Sequence, residues 1–538
     1  MTSIDLDKEE TVKKRMTQLL AGITLMLGVL LGSASSAWAQ DLTVGLGIPI
    51  TSLDPHFANN SPNKAVARHF FEALVAFDEK LNVVPALATS WKRVGDTVWE
   101  IQLRPDVRFS DGAPLTADDV VASFERAPVV PNSPASLALF TRSIKQVTAV
   151  DPLKVRIETK YVDPLLPTML PEILIVQKSR KDATTADYNS GKAMVGTGPF
   201  VFESYTAGDR VVMKRNDGYW GRKPDWSRVQ LRFITNDAAR VAALLSGDVN
   251  LIENVPPDLV ERVKQGGNFN IVQSPPVLPV YIGLDIGGET AAYVTAINPA
   301  PGAKANPLQD KRVRQALSYA IDRKAISERL MNGTTAPAGQ LLLDGLFGTS
   351  PRLKPLPYDP ETAKALLAEA GYKNGLNLTF HGPNDRLAND SKVVQAVAQM
   401  WNRVGISAKA EVLPWSVYFP RTTKREFSIW LLSSASTAEM ATALNSVAVT
   451  YDPKNGRGVN NRGRYSNPEL DELVNTAFQT LDDGKRRALL EKASEISMDD
   501  AVVLPLYFYS FAIATPKNIT YAPRLDQFTL SQNARKVN

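Results

Sequence analysis

The chain of 538 residues contains no cysteine, so it has no disulfide, no thiol nucleophile and no thiolate metal ligand. Its three histidines, His56, His69 and His381, lie far apart in the sequence and do not indicate a nickel or haem site. We therefore expect no metal and no cofactor. Lysine and arginine form no long block and the net charge is only +5, which does not favour nucleic-acid binding.

The motifs of the common hydrolases are also missing. Neither G-x-S-x-G nor H-E-x-x-H occurs. Ser61-Pro62-Asn63-Lys64 matches the S-x-x-K of penicillin-recognising enzymes, but the partner motifs S-D-N and K-T-G are absent. Ser61 is better explained as the N-cap of a helix that Pro62 begins. We predict that the chain is not an enzyme, with a secreted hydrolase as the less favoured alternative.

The one long hydrophobic run lies near the N-terminus. Residues 19–31 follow Lys13-Lys14-Arg15 and form an apolar run of about 13 residues, which is too short to cross a bilayer. Ala37-Trp38-Ala39 then gives an A-x-A cleavage pattern before Gln40. These features predict a cleavable signal peptide over residues 1–39, with an uncleaved anchor helix as the alternative. Because no cysteine follows the cleavage pattern, we expect a free periplasmic protein rather than a lipoprotein.

The rest of the chain has the composition of a large soluble protein, with 44% hydrophobic and 22% charged residues. Its length predicts two or three subdomains. Trp99, Ile101 and Leu103 alternate with polar residues and predict a strand. After a turn over Ser110–Pro114, which contains Gly112, Thr116 and Asp119 fit a capping box at the start of a helix.

Three further segments have sequence patterns that predict a local structure. The periodicity of residues 310–330 predicts one helix. Residues 504–514 are apolar and predict one strand that returns to the first domain. Gly196–Phe200, with the sequence GTGPF, predicts a turn with close backbone approach. A phosphate loop is not expected there, because no Lys-Ser/Thr pair follows.

Several short motifs occur in a fixed order along the chain. They are Leu53–His56, Phe70–Leu74, Pro85–Ala88, Leu103–Val120, Gly196–Phe200, Val313–Ala316, Ala320–Arg323, Tyr358–Lys364 and Tyr465–Glu469 with Asp471. This ordered set resembles the family 5 extracellular solute-binding proteins, which are the dipeptide, oligopeptide and nickel receptors of ABC importers. The resemblance covers nearly all of residues 41–510.

The resemblance implies an α/β fold, namely a type II periplasmic binding protein clamshell with two lobes and an extra subdomain in lobe I. The expected domains are lobe I (Ia) over residues 40–74, 191–275 and 505–538, the inserted subdomain (Ib) over 75–190, and lobe II over 276–504. Strands near Ser274–Tyr281 and Val503–Tyr507 are the expected hinge crossings. The implied protein is the periplasmic substrate-binding component of an ABC importer. It would capture a peptide or peptide-like solute between its lobes and deliver it to an inner-membrane permease. We expect a monomer.

The chain departs from its peptide-binding relatives between Trp430 and Glu439. In those relatives an aspartate at this place pairs with the peptide α-amine, whereas here small Ser, Ala and Thr residues replace it. Glu439 is the only acid between Phe427 and Tyr451. A buried ammonium without a carboxylate partner costs several kcal/mol, so amine capture would require Glu439. The hydroxyls in this segment suit a neutral ligand, which leaves a non-peptide polar solute such as an opine or an oligosaccharide as the alternative.

The candidate substrate-binding residues are His56, Asn59, Tyr281, Trp430, Ser433, Ser434, Ser436, Thr437 and Glu439. His56 follows the Leu-Asp-Pro turn, and we expect it to face the cleft. Tyr281 and Trp430 would supply apolar contact with a polar handle, and core packing is the alternative for both.

Overall fold

The computed structural model describes residues 41–434, 439–452 and 456–537. Its strands are β1 (Asp41–Leu46), β2 (Val75–Phe77), β3 (Val83–Pro85), β4 (Ala88–Gly95), β5 (Val98–Leu103), β6 (Ile144–Asp151), β7 (Lys154–Thr159), β8 (Phe200–Thr206), β9 (Arg210–Arg215), β10 (Arg228–Phe233), β11 (Leu251–Ile252), β12 (Phe269–Gln273), β13 (Leu278–Leu284), β14 (Val294–Ala296), β15 (Thr335–Pro337), β16 (Leu376–Pro383), β17 (Ser407–Leu413), β18 (Ile429–Ser433), β19 (Val503–Tyr509), β20 (Ala512–Pro516), β21 (Ile519–Tyr521) and β22 (Ala534–Lys536).

The α-helices connect these strands. They are α1 (Ser61–Ala67), α2 (Ala117–Arg126), α3 (Ala138–Thr141), α4 (Leu166–Met169), α5 (Thr185–Asn189), α6 (Asp237–Ser246), α7 (Val260–Gln265), α8 (Lys311–Tyr319), α9 (Arg323–Ala325), α10 (Pro360–Glu369), α11 (Asp390–Asn402), α12 (Trp415–Thr423), α13 (Met440–Val447), α14 (Pro468–Gln479) and α15 (Asp483–Asp499).

Three sheets organise the molecule. The first sheet has seven strands in the order β12-β20-β11-β1-β10-β9-β8. The second has the order β14-β16-β18-β13-β19-β15, with β17 paired to β16. A four-stranded antiparallel sheet, β4-β5-β7-β6, is built from residues 88–159 alone. We refer to the units around these sheets as lobe I, lobe II and the inserted subdomain; their exact boundaries remain predictions.

The chain crosses between the two lobes twice, at neighbouring positions. β12 in the first sheet leads to β13 in the second, and β19 in the second leads back to β20 in the first. Beside the crossings, Leu278 pairs with Tyr509, and the Ser274 backbone N–H donates to the Phe511 carbonyl at 2.8 Å. The single strand expected over residues 504–514 is therefore wrong. Its two halves pair with different sheets, and both halves are apolar because both are buried.

The second sheet is covered on both faces. Val280 and Ile282 on one face pack with buried residues of α8, α10 and α11. Tyr281 and Trp430 on the other face pack with buried residues of α12 to α15. Successive side chains of a strand point to opposite faces of the sheet, so neighbouring residues of β13 belong to different hydrophobic clusters.

The local signals for helix starts are partly confirmed. Thr116 and Asp119 form the expected capping box, in which the Thr116 backbone N–H donates to Asp119 Oδ2 at 2.8 Å. The N-cap of α1, however, is Asn60 rather than Ser61, because the Asn60 side chain accepts the Asn63 backbone N–H. The helix expected over 310–330 ends at Tyr319, since Asp322 caps a separate short helix at this point.

The GTGPF segment approaches the backbone of the first lobe closely, as its sequence predicts. The Gly198 backbone N–H donates to the Phe70 carbonyl at 2.9 Å. A Cβ at Gly198 would lie 2.6 Å from the carbonyl carbon of Phe70, so a side chain has no room there. Within the described ranges, no helix is long and apolar enough to cross a membrane.

Candidate functional site

The ends of three parallel strands meet at one edge of the second sheet. β17 and β18 both run parallel to β16, so Pro383, Leu413 and Ser433 terminate on the same side. β13 runs antiparallel to β18, and Val280 near its start lies opposite Ser433. The strand that crosses from lobe I therefore enters lobe II at this edge. Crevices outside the carboxyl ends of strands are the usual ligand sites of α/β folds, so this edge is the candidate site.

The inserted subdomain contacts lobe II near the same site. Leu165, which precedes α4, is only 3% exposed and belongs to the hydrophobic cluster of Tyr281, Trp430 and Tyr418. Asp163 lies close enough to raise the pKa of Glu439, although burial of Glu439 is the larger cause. Glu439 therefore lies close to the inserted subdomain.

Ser433 and Ser434 lie at this edge and both are partly exposed, and their role in substrate binding stays a prediction. The Ser434 backbone N–H donates to the Pro279 carbonyl at 3.2 Å, which fixes the end of β18 to the start of β13. Ser436 and Thr437 fall outside the described residues. The two described serines thus place hydroxyl groups beside the hinge.

Glu439 is not free to bind a ligand amine. It is 6% exposed, and Arg486 Nη1 donates to its Oε1 and Oε2 at 2.6 and 2.7 Å. Burial raises the pKa of Glu439, and the charge of Arg486 opposes this effect. Breaking such a buried pair costs about 3–5 kcal/mol. The only acid of the segment is therefore committed to a structural ion pair.

Tyr281 and Trp430 are buried, with exposed fractions of 3% and 4%. The Trp430 indole covers Gly283 on the neighbouring strand, where a Cβ would overlap the ring. Burial raises the pKa of Tyr281 to about 12, while the nearby charge of Arg462 opposes this shift. Both residues thus pack in the core of lobe II, and Tyr281 also borders Arg462.

His56 is a structural residue of lobe I. Its ring is fully buried, with Nε2 2.7 Å from the Leu174 carbonyl and Nδ1 3.1 Å from Arg126 Nη1. Arg126 in turn donates to both carboxylate oxygens of Asp54 at 2.8 and 2.7 Å. Burial, with the charge of Arg126, lowers the pKa of His56 to about 4. The expectation that His56 faces the cleft is wrong, because its polar atoms are satisfied inside this network.

Asn59 marks the contact between lobe I and the inserted subdomain. Its backbone N–H donates to the Ala135 carbonyl at 2.8 Å, next to an isolated bridge between Ala58 and Ala135. Its side chain is partly exposed. A role for this side chain in ligand binding stays a prediction.

Arg462 is the residue that sequence reasoning missed. It is 8% exposed, its guanidinium lies over the Phe419 ring at 5.3 Å, and it is close enough to Tyr281 and Tyr418 to interact with both electrostatically. The loop that carries it is held by Asn461, whose Nδ2 donates to the carbonyls of Val449 and Tyr465 at 2.9 and 2.7 Å. The only signal in the sequence is the Asn460-Asn461-Arg462 run before the Tyr465–Glu469 motif.

The described residues contain no group of three or more His, Cys, Asp or Glu side chains that could hold a metal ion. His69 is buried against the carbonyls of Ala65 and Val66, and His381 stacks on Phe427 at 4.2 Å. The three histidines thus occupy separate, buried places.

The family model of bacterial extracellular solute-binding proteins, family 5 middle region, matches residues 82–456. The chain belongs to this family. Among curated relatives, the glutathione-binding protein GsiB of Pectobacterium atrosepticum is 27% identical over 519 residues, covering 95% of this chain and 96% of that protein. GsiB of Escherichia coli K12 is 26% identical over 507 residues, covering 93% and 94%.

Solved structures of the same fold cover almost the whole chain. Helicobacter pylori DppA in complex with the peptide STSA has a TM-score of 0.74 at 23% identity, covering 92% of this chain and 98% of that one. The unliganded open form of MppA, a periplasmic murein tripeptide binding protein, has a TM-score of 0.73 at 25% identity, covering 93% and 98%. These likenesses confirm the expected clamshell fold of type II periplasmic binding proteins.

Proposed function

We propose that this protein is the periplasmic substrate-binding component of an ABC importer. It captures a peptide or peptide-like solute between its two lobes and delivers it to an inner-membrane permease. The observation that carries this proposal is the double crossing at 274–278 and 509–512, which joins the lobes by adjacent strands beside the candidate site. Such a hinge lets a ligand that contacts both lobes stabilise the closed form.

The relatives support a peptide-like solute. The GsiB proteins are glutathione-binding proteins, and they align with this chain over more than nine-tenths of its length. Glutathione is itself a modified tripeptide. The family consists of binding proteins, and we propose that this chain likewise carries out no covalent chemistry.

Localisation and partners follow from the same proposal. Residues 1–39 act as a cleavable signal peptide, and the chain, which lacks cysteine, acts as a free periplasmic monomer. Its partners are the solute and the permease, with no nucleic acid. Mass spectrometry of the periplasmic protein should find Gln40 at the N-terminus; a retained leader or a lipid adduct would contradict this assignment.

A non-peptide polar solute, such as an opine or an oligosaccharide, is the second candidate. The pairing of Glu439 with Arg486 favours it, because the described part of the segment offers no unpaired carboxylate for a peptide amine. A receptor for such a solute needs no amine site, whereas a peptide receptor without one must hold its ligand through other groups.

Thermal-shift and calorimetric titration with glutathione, alanyl peptides, agropinic acid and raffinose tests both candidates. A cognate solute at 100 times its Kd should stabilise the protein by about 2.7 kcal/mol. Small-angle X-ray scattering should show a smaller radius of gyration in its presence. Reproducible turnover of ester, peptide or β-lactam substrates would contradict the receptor function, as would the absence of binding to every solute in the panel.

A further inference from the structure

We propose that Arg462 binds a carboxylate group of the solute, so that this receptor takes a ligand that carries a carboxylate rather than one that lacks it. The inference rests on the proposed function, because it names the chemistry of the ligand that the cleft receives. It also replaces the neutral ligand that the serine hydroxyls suggested.

Arg462 differs from the other buried arginines in its hydrogen bonding. The buried arginines of the described residues are Arg126, Arg240, Arg314, Arg323, Arg462, Arg486 and Arg524. Apart from Arg462, each makes at least three hydrogen bonds to carboxylate, carbonyl, hydroxyl or imidazole groups. Arg462 makes one, from Nη1 to Asn460 Oδ1 at 3.2 Å. Its Nε is buried and has no acceptor.

A buried guanidinium in this condition is costly. It stays charged at any physiological pH, and an uncompensated buried charge destabilises a protein by several kcal/mol. Burial lowers the pKa of Arg462 and so does the charge of Arg425, while Tyr281 and Tyr418 only partly oppose them. No carboxylate of the described chain forms an ion pair with it. A ligand anion would supply the missing charge.

The unused edge of the guanidinium fits a carboxylate. Asn460 occupies Nη1, and neither Nε nor Nη2 donates to the described residues. These two N–H groups lie side by side and form the fork that a carboxylate accepts bidentately. The Phe419 ring centroid lies 5.3 Å from the guanidinium and 4.7 Å from the Trp415 ring, to which it is tilted by 31°. Together they form an aromatic shelf that would hold an apolar part of the same ligand.

The position of Arg462 is that of the candidate site. Its neighbour Tyr281 lies opposite Leu432, one residue before Ser433 at the strand edge. Leu165 of the inserted subdomain packs in the cluster that contains Tyr281 and Tyr418, so the subdomain reaches this face of lobe II. Glu439 is paired with Arg486, and the charged neighbour of Arg462 is the cation Arg425, so this place favours an anionic group of the ligand.

The test compares ligands that differ only in the carboxylate. Alanyl peptides of two to four residues are titrated as free acids and as C-terminal amides, together with agropinic acid and neutral raffinose. The wild-type protein should bind a free acid about 100-fold more tightly than its amide, or should bind agropinic acid. Arg462→Gln should lose about 100-fold for that acid. Arg403→Gln, an exposed arginine on the same lobe, should change nothing.

Other outcomes separate this inference from the proposed function. Equal binding of acid and amide, unchanged binding by Arg462→Gln, or binding of raffinose alone would overturn the carboxylate role while leaving a receptor. No binding of any solute by the wild-type protein would overturn both. Preferential binding of peptide acids would identify a peptide terminus as the source of the carboxylate, and preferential binding of agropinic acid would identify an opine; either supports the role of Arg462.

A stability measurement excludes a merely structural role. Removing an uncompensated buried charge should leave the Tm of the ligand-free protein unchanged or higher in Arg462→Gln. Arg462→Met, which keeps the apolar stem, provides a second variant if the glutamine protein folds poorly. If both variants lower the Tm of the ligand-free protein by more than about 5 °C, Arg462 stabilises the fold and the inference is wrong.

Discussion

Single buried groups in lobe I have protonation states that differ from those in water. His56 and His69 are fully buried, and burial lowers the pKa of each to about 4. Glu72 accepts hydrogen bonds from Tyr219 Oη and Trp220 Nε1, each at 2.8 Å, yet burial raises its pKa to about 7. The histidines and the glutamate therefore make the stability of lobe I depend on pH in opposite directions.

The histidines should weaken the fold in acid. In the folded protein they stay neutral down to pH 4, whereas in the unfolded chain they bind a proton below about pH 6.5. Each should therefore cost up to about 3 kcal/mol as the pH falls from 6.5 to 4. Urea unfolding at several pH values should show this loss, and His69→Asn should reduce the slope. A slope equal to that of the wild type would contradict the burial argument.

Glu72 should weaken the fold at higher pH. Its raised pKa means that the folded protein holds a proton that the unfolded chain releases above pH 4.5, so stability falls as the pH rises through 7. Glu72→Gln can still accept from Trp220 Nε1 and can donate its amide N–H to Tyr219 Oη, so it should be more stable than the wild type by up to about 3 kcal/mol at pH 8, with no gain at pH 4.5. Glu125→Gln, at an exposed position on α2, serves as the control and should give no difference at either pH.

At this scale the sequence predicted the site only in part. It located the Trp430–Glu439 segment and the absence of an aspartate there. It did not show that Glu439 pairs with Arg486, 47 residues later, or that Arg462 lacks such a partner. The type of a charged residue is visible in the sequence, whereas the presence of its counter-charge depends on the folded chain.

Among the structural elements, the GTGPF turn depends on its glycines. Gly198 packs against the backbone of Phe70, and a Cβ there would lie 2.6 Å from the Phe70 carbonyl carbon. Backbone cannot move aside as a flexible side chain can, so Gly198→Ala should destabilise the protein by about 2–3 kcal/mol. Chemical denaturation measures this change.

Gly218 provides the matched control. A Cβ there would meet only Asn216 Oδ1 at 3.4 Å, so Gly218→Ala should change the free energy of unfolding by less than about 0.5 kcal/mol. Equal effects at the two glycines would show that close approach is not what the GTGPF turn requires.

The elements that were predicted correctly are those whose own residues form a recognisable local pattern. β5 contains the alternating residues Trp99, Ile101 and Leu103, and α2 has its capping box. The prediction failed over 504–514, where no turn residue other than Ser510 marks the crossing. Both halves are buried strands, so their local patterns are alike, and only their pairing with different sheets separates them.

At the scale of the whole molecule, the packing of Leu165 against lobe II can be used to test whether the two lobes close on a solute. Leu165→Asp should leave the lobes themselves intact but disfavour the closed form, because the carboxylate would be buried among apolar side chains. We expect at least about 10-fold weaker solute binding and a larger radius of gyration in the presence of solute. Calorimetry and small-angle scattering measure these two quantities.

Leu139→Asp is the control for that experiment, since Leu139 belongs to the same subdomain but is 50% exposed. It should bind solute as the wild type does. Solute affinity unchanged by Leu165→Asp would mean that this contact contributes nothing to closure.

The interleaved order of the first sheet has a consequence for synthesis. β20 lies between β12 and β11, so the sheet that begins with residues 41–46 is completed only by residues 512–516. At about 20 residues per second, the ribosome makes these two strands at least about 20 s apart. The second sheet, built from residues 278–509, is finished before β20 is made. The first lobe therefore cannot complete its sheet until almost the whole chain has been synthesised, so its folding ends after that of the second sheet can begin.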